Sequence, residues 1–367
     1  MSLIAWQDGD TLKNDAMPEV SPLGYKLIKR LKGGHRQSIK LLSSFGLLVL
    51  ATVAATAPLL SSDRVVEHLQ NHPLAGTIWT SDFEEVTPAQ LDTALAAARF
   101  VLLGEIHNNP DHHRLQAQLI DGLVKKGRHP AIVFEMIPGN LQAELNRLVR
   151  GGIGDATEFG KALRWEERGW PDWTIYQPIA ETALSAGLPL VAGGLDADVQ
   201  KAVAKGAPAQ LYDQSVQALA LAQPLQPEVA EAEVREINEG HCNLLPAAAL
   251  EPMLRVQRAR DASLAKAMMS ANASEGAVLI AGADHVRNDW AVAHLIRQKM
   301  PNAAVISVAF IEVHPERTTP SAYMQTVPGL EKPFDFIYLT PRVELTEPCA
   351  DFEKQLKAKK GKTTGER

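Results

Sequence analysis

The chain is short of cysteine, aromatics and positive charge. Only Cys242 and Cys349 occur in 367 residues, which excludes a disulfide-dense scaffold. Aromatics make up 5% of the residues, so an aromatic cluster here is a local feature and not a product of composition. The formal net charge is −6, which disfavours a generic nucleic-acid binder, and no nucleic-acid partner is expected. No Gly-x-Ser-x-Gly elbow marks a serine nucleophile. With 46% apolar and 22% charged residues, what remains is a globular protein. Its length suffices for one large domain or two ordinary ones.

Charge is spread unevenly. Residues 1–60 and residues 350–367 each carry a net +3, which leaves −12 on the middle. Residues 1–40 read as a basic arm, with Lys26, Lys29, Arg30, Lys32, Arg36 and Lys40 leading into an uncharged run over 41–60. A basic stretch, an apolar stretch and a small-residue tail describe a signal peptide. Cleavage after Ala55 places Val53 and Ala55 at the small positions. The same run is long enough to stay as a membrane anchor, and a buried core helix is the third reading. No lipobox cysteine lies there. The expectation is an exported protein, in the periplasm or anchored facing it, with membrane association through 41–60. In that setting Cys242 and Cys349 either pair or stand as separate thiols. The lysine-rich 350–367 segment reads as a solvated tail.

The body, 61–349, contains short apolar runs at 100–103, 131–134, 188–192, 278–281, 304–309 and 334–339 that read as buried strands. Helical patterns alternate with the earlier ones. The expected fold class is therefore α/β: a layered, mainly parallel sheet flanked by helices, with a helical cap subdomain over about 140–275. One helix is sharply punctuated: Asn109 caps it, Pro110 suits its first position, Leu115, Leu119 and Leu123 share a face, and Gly127 ends it.

Chemistry gathers where strands end. The 100–103 run leads into Gly104-Glu105-Ile106-His107, the 131–134 run into Glu135, and the 278–281 run into Gly282-Ala283-Asp284-His285 with Arg287 beyond. Ligands of open α/β sheets bind outside the carboxyl ends of strands, so neighbouring strands would bring these groups together. The spacing Gly-x-x-His occurs twice, each time directly after an apolar run. If the protein is an enzyme, Glu105, His107, Glu135 and His285 are its catalytic candidates, and Glu105, His107 and His285 are the alternative ligands for a divalent metal. His112 and His113 sit in the first turn of the capped helix, whose amino end suits an anion. Residues 165–176 hold three of six tryptophans and Tyr176. These could wall a flat ligand, with Arg168 for its acidic groups.

The segment 101–113, Val-Leu-Leu-Gly-Glu-Ile-His-Asn-Asn-Pro-Asp-His-His, resembles the opening motif of the ChaN-like haem-binding proteins of the Tiki/TraB/erythromycin-esterase grouping. Phe134-Glu135-Met136, the 168–176 stretch, Gln257 with Arg260-Asp261, and Gly282 to Arg287 match in the same order, over roughly residues 75–350. The resemblance implies an exported α/β domain with a helical cap, active in haem binding and iron uptake. It implies a haem iron held through tyrosine, Tyr176 first and Tyr212 second, with homodimers forming around the cofactor. The haem site would then draw on His107, His112, His113, Arg168, Tyr176, His285 and Arg287. The alternative is a metal-dependent hydrolase of esterase or peptidase type built on the paired Gly-x-x-His cluster.

Overall fold

The computed structural model describes residues 68–151, 156–206, 224–271 and 275–345, with Cys349 and Glu353. The basic arm, the 41–60 run, Tyr212 and most of the 350–367 tail lie outside the described residues.

Eight strands form one sheet among the described residues. They are β1 (Ile78–Thr80), β2 (Glu85–Val86), β3 (Phe100–Glu105), β4 (Ala131–Pro138), β5 (Leu190–Gly194), β6 (Ala277–Gly282), β7 (Val305–Glu312) and β8 (Phe336–Thr340). The spatial order is β2-β1-β8-β7-β3-β6-β4-β5. The six from β8 to β5 are parallel, and β1 pairs antiparallel with both β8 and β2. The central strands β3 and β6 are buried at every residue. That is why their sequences are continuous apolar runs with no alternation.

The two faces of the sheet carry two separate cores. On one face Leu102, Val133 and Leu279 pack against α8 (Ala247–Ala271) and α9 (Val292–Lys299) through Leu264, Met268 and Ile296. On the other face Leu103, Phe134 and Ile280 pack against α2 (Pro110–Lys125) and α5 (Trp173–Ser185) through Ile120 and Ile179. Successive strand residues point to opposite faces, which divides each run between the two cores. The remaining described helices are α1 (Pro88–Ala97), α3 (Gln142–Arg150), α4 (Thr157–Ala162), α6 (Ala197–Ala204) and α7 (Pro227–Gly240).

The 140–275 stretch supplies sheet cover on both faces and the edge strand β5, and its helix α7 lines the cleft described below. The capped helix forms as expected: the Asn109 side chain accepts from the backbone N–H of Asp111 and His112, and Pro110 takes the first position. Cys242 and Cys349 form a disulfide with Cα atoms 5.4 Å apart. Among the described residues no helix is long and apolar enough to cross a membrane.

Candidate functional site

β3 and β6 are parallel neighbours with Glu105 opposite Gly282, and β4 flanks β6 on its other side. The two Gly-x-x-His units therefore leave the sheet side by side. Gly104 is required by this packing. A Cβ there would lie 2.4 Å from Val286 Cγ2 and 2.8 Å from the Ala283 Cα, in the turn that carries His285.

Glu105 anchors the first half of the cluster. Its carboxylate accepts from Tyr176 Oη at 2.6 Å and from His107 Nδ1 at 2.9 Å, and it lies 3.1 Å from His113 Nδ1. Burial alone would raise its pKa; His113 and His107 outweigh that and hold it down at about 2. His113 also gives Nε2 to the His107 carbonyl at 3.0 Å. Burial lowers its pKa, but Glu105 and the His107 carbonyl outweigh that and raise it. With Nδ1 turned to Glu105, the other ring nitrogen of His107 is Nε2. That nitrogen is buried and has no hydrogen-bond partner among the described residues.

Glu135 anchors the second half. It accepts from the Gly282 N–H at 2.7 Å, pairs with Arg260, and lies 3.3 Å from His285 Nε2. Burial opposes its ionisation, but His285 and Arg260 prevail and keep its pKa well below the usual carboxylate range. His285 turns Nδ1 to Asp261 at 2.5 Å, and Gln257 Nε2 lies 3.3 Å from the same nitrogen. Burial lowers the pKa of His285, yet Glu135 and Asp261 together lift it to about 9. His107 Nε2 stands 3.9 Å from Glu135, which joins the two halves.

The cluster lies beside a cleft of about 750 Å³, which it reaches through His107. Its aromatic lining includes Trp170, Trp290, Phe310, Tyr323 and Phe334, and its arginines are Arg168, Arg235, Arg287, Arg317 and Arg342. His107 lines it too, with its ring 5.0 Å from Trp170 in an edge arrangement.

Residues 92–296, more than half of the chain, match the family described as haem-binding uptake, Tiki superfamily, ChaN. The chain belongs to the ChaN family. Among solved structures it is similar to ChaN of Campylobacter jejuni, described with cofacial haem binding. The identity is 18%, the TM-score 0.56, and the match covers 71% of this chain and 95% of that one. It is also similar to a mutant erythromycin esterase, EreC, in its open conformation, at 15% identity and TM-score 0.41, covering 71% of this chain and 95% of that one. The type III effector HopBA1 matches at 14% identity and TM-score 0.37, over 68% of this chain and 91% of that one. No curated protein matches the chain.

In this ChaN-family chain the structure brings Glu105, His107, Glu135 and His285 together as the strand ends suggest, and it places other expected residues differently. His112 and His113 are fully buried. His112 accepts from the Ile106 N–H at 2.9 Å and meets Thr340 Oγ1 at 2.8 Å, and burial drives its pKa well below the usual value. The helix start is therefore capped by Asn109 and packed into the core. Tyr176 is also fully buried. Burial and then Glu105 push its phenol well above the usual tyrosine pKa. Its phenol donates inward to Glu105. The alternative metal set Glu105, His107 and His285 is engaged within the protein. Glu105 and His107 bond each other, His285 is held by two carboxylates, and among the described residues no group of three or more His, Cys, Asp or Glu is placed to hold a metal ion.

Arg168 and Arg287 do reach the cleft, but with commitments. Arg168 donates to the carbonyls of Leu163 and Met136, and burial lowers its pKa to about 10. Arg287 pairs with Glu236 at 2.9 Å and Asp289 at 2.7 Å and lies 3.8 Å over the Trp290 ring. Sequence reasoning missed Arg235, Trp290, His314, Arg317, Tyr323 and Phe334. No motif marks them, and they meet only because α7 and the 313–334 segment fold over the strand ends.

Proposed function

We propose that this chain binds haem in the cleft at the carboxyl ends of the strands, as an exported cell-envelope protein serving haem or iron uptake. Family membership supports the ligand. The residues present fit it: the cleft falls within the roughly 300–1,000 Å³ of ordinary ligand sites. Trp170, Trp290 and Phe334 supply flat apolar wall, and three buried polar atoms of the lining residues, His107 Nε2, Arg168 Nη2 and Arg342 Nε, have no hydrogen-bond partner among the described residues. That aromatic wall with unspent polar atoms is the observation that carries the reading, since buried polar atoms are normally satisfied. Bound haem would supply an iron whose axial positions a protein or solvent donor can fill. The chain's own part is to enclose the ring, exclude water from one of its faces and meet its acidic groups.

Export is supported by the basic and then apolar 26–60 sequence and by the Cys242–Cys349 disulfide, which suits an oxidising compartment. Homodimer formation around the cofactor is part of the same proposal. Hemin titration of the purified full chain tests it. A saturable change in the Soret band is expected, with affinity about tenfold weaker in Trp170→Ala because one aromatic wall is lost. Molar mass should double at equivalence. No saturable change in the unaltered chain contradicts the reading.

A further inference from the structure

Resting on the haem reading, the lining of the cleft also says which groups meet the ligand's acidic arms. Five arginines line it, and three are committed. Arg287 is paired with Asp289 and hydrogen-bonds Glu236, Arg168 gives its Nε and Nη1 to two backbone carbonyls, and Arg342 stands 3.7 Å from Glu312. Arg235, on α7, and Arg317, in the segment after β7, are exposed and join no ion pair among the described residues. The Arg317 guanidinium lies 5.9 Å from the Tyr323 ring centroid, so an aromatic face already borders it.

We infer that Arg235 and Arg317 form a clamp for the two carboxylates of a flat, dianionic aromatic ligand at the mouth of the cleft. The physical argument is one of cost. A carboxylate driven to the floor beside Arg168 would be stripped of water, and burying a charge is expensive even when it is paired. At the mouth the same carboxylates keep part of their hydration and gain charge-assisted, two-pronged hydrogen bonds from guanidinium groups. The clamp also counters the acidic part of the lining, which includes Glu239 and Asp284 and would repel a dianion. Arg235 and Arg317 thus match two acidic arms, and the uncharged part of the ring falls against Trp170, Trp290 and Phe334.

The test compares hemin with hemin dimethyl ester, which keeps the ring and iron and lacks both carboxylates. Affinities are measured for the unaltered full chain, Arg235→Gln, Arg317→Gln and the double variant, with thermal melts as a folding control. For hemin, each single change is expected to weaken binding about tenfold and the double change about a hundredfold. The ester should bind all four proteins alike, and salt should weaken hemin more than ester. Equal weakening of hemin and ester, or unchanged hemin binding in the double variant, overturns the clamp and leaves the haem reading standing. Failure of the unaltered chain to bind either porphyrin overturns both.

Discussion

His285 shows how single groups in this cluster couple to stability. It carries its proton more readily folded than unfolded, with the pKa raised from 6.5 to about 9. Its contribution is therefore complete below pH 6.5 and lost as pH rises through about 9. Glu236, raised to about 8 by burial beside Asp284, loses stability in the same direction. Glu105, lowered from 4.5 to about 2, contributes above 4.5 and loses that contribution as pH falls toward 2. Denaturant midpoints should accordingly fall from pH 6.5 to 9 and again below 4.5; a midpoint that rises between 6.5 and 9 would contradict this. His285→Ala leaves Glu135 and Asp261 without the cation between them and should cost about 3–5 kcal/mol in equilibrium unfolding. Tyr176→Phe removes one donor to Glu105 and should cost about 1–2 kcal/mol, while hemin affinity stays unchanged because the phenol points inward. At this scale the Glu105, His107, Glu135 and His285 grouping was legible, because each follows an apolar run that could only be a buried strand. The fates of His112 and Tyr176 were not. Thr340 comes from 228 residues beyond His112, and Glu105 lies 71 residues before Tyr176, so no local pattern encodes either bond.

At the scale of elements, the exposed edge of the sheet has its own device. Gln142 accepts from the Ala192 N–H at 2.7 Å and donates to the Leu190 carbonyl at 3.2 Å, so its amide imitates a neighbouring strand along β5. Gln142→Ala should cost about 1–2 kcal/mol and increase aggregation on heating, read by melts with light scattering. The disulfide binds the turn after α7 to the segment after β8, and residues just before each cysteine line the cleft. With its ends separated by 107 positions in the sequence, its reduction should lower stability by about 2–4 kcal/mol, seen as a lower melting temperature in reductant. The long parallel strands and the capped helix were legible from apolar runs and from Asn109-Pro110. β1 and β2 were not, because three- and two-residue strands give too little pattern for any period to register.

For the molecule as a whole, a six-stranded parallel core turns one edge into a site. Its carboxyl ends carry the buried Glu105, His107, Glu135 and His285 cluster, and beside it Trp170, Trp290, α7 and the 313–334 segment line the cleft. The fold class was readable from alternation of strands and helices. The cleft was not, since its lining is drawn from segments scattered from Ile106 to Glu344. The most direct measurement is a crystal structure of the full chain grown with hemin. The account predicts a porphyrin lying against Trp170 and Trp290 at the strand ends, with Tyr176 still bonded to Glu105. A porphyrin bound elsewhere, with this cleft holding only solvent, would contradict it.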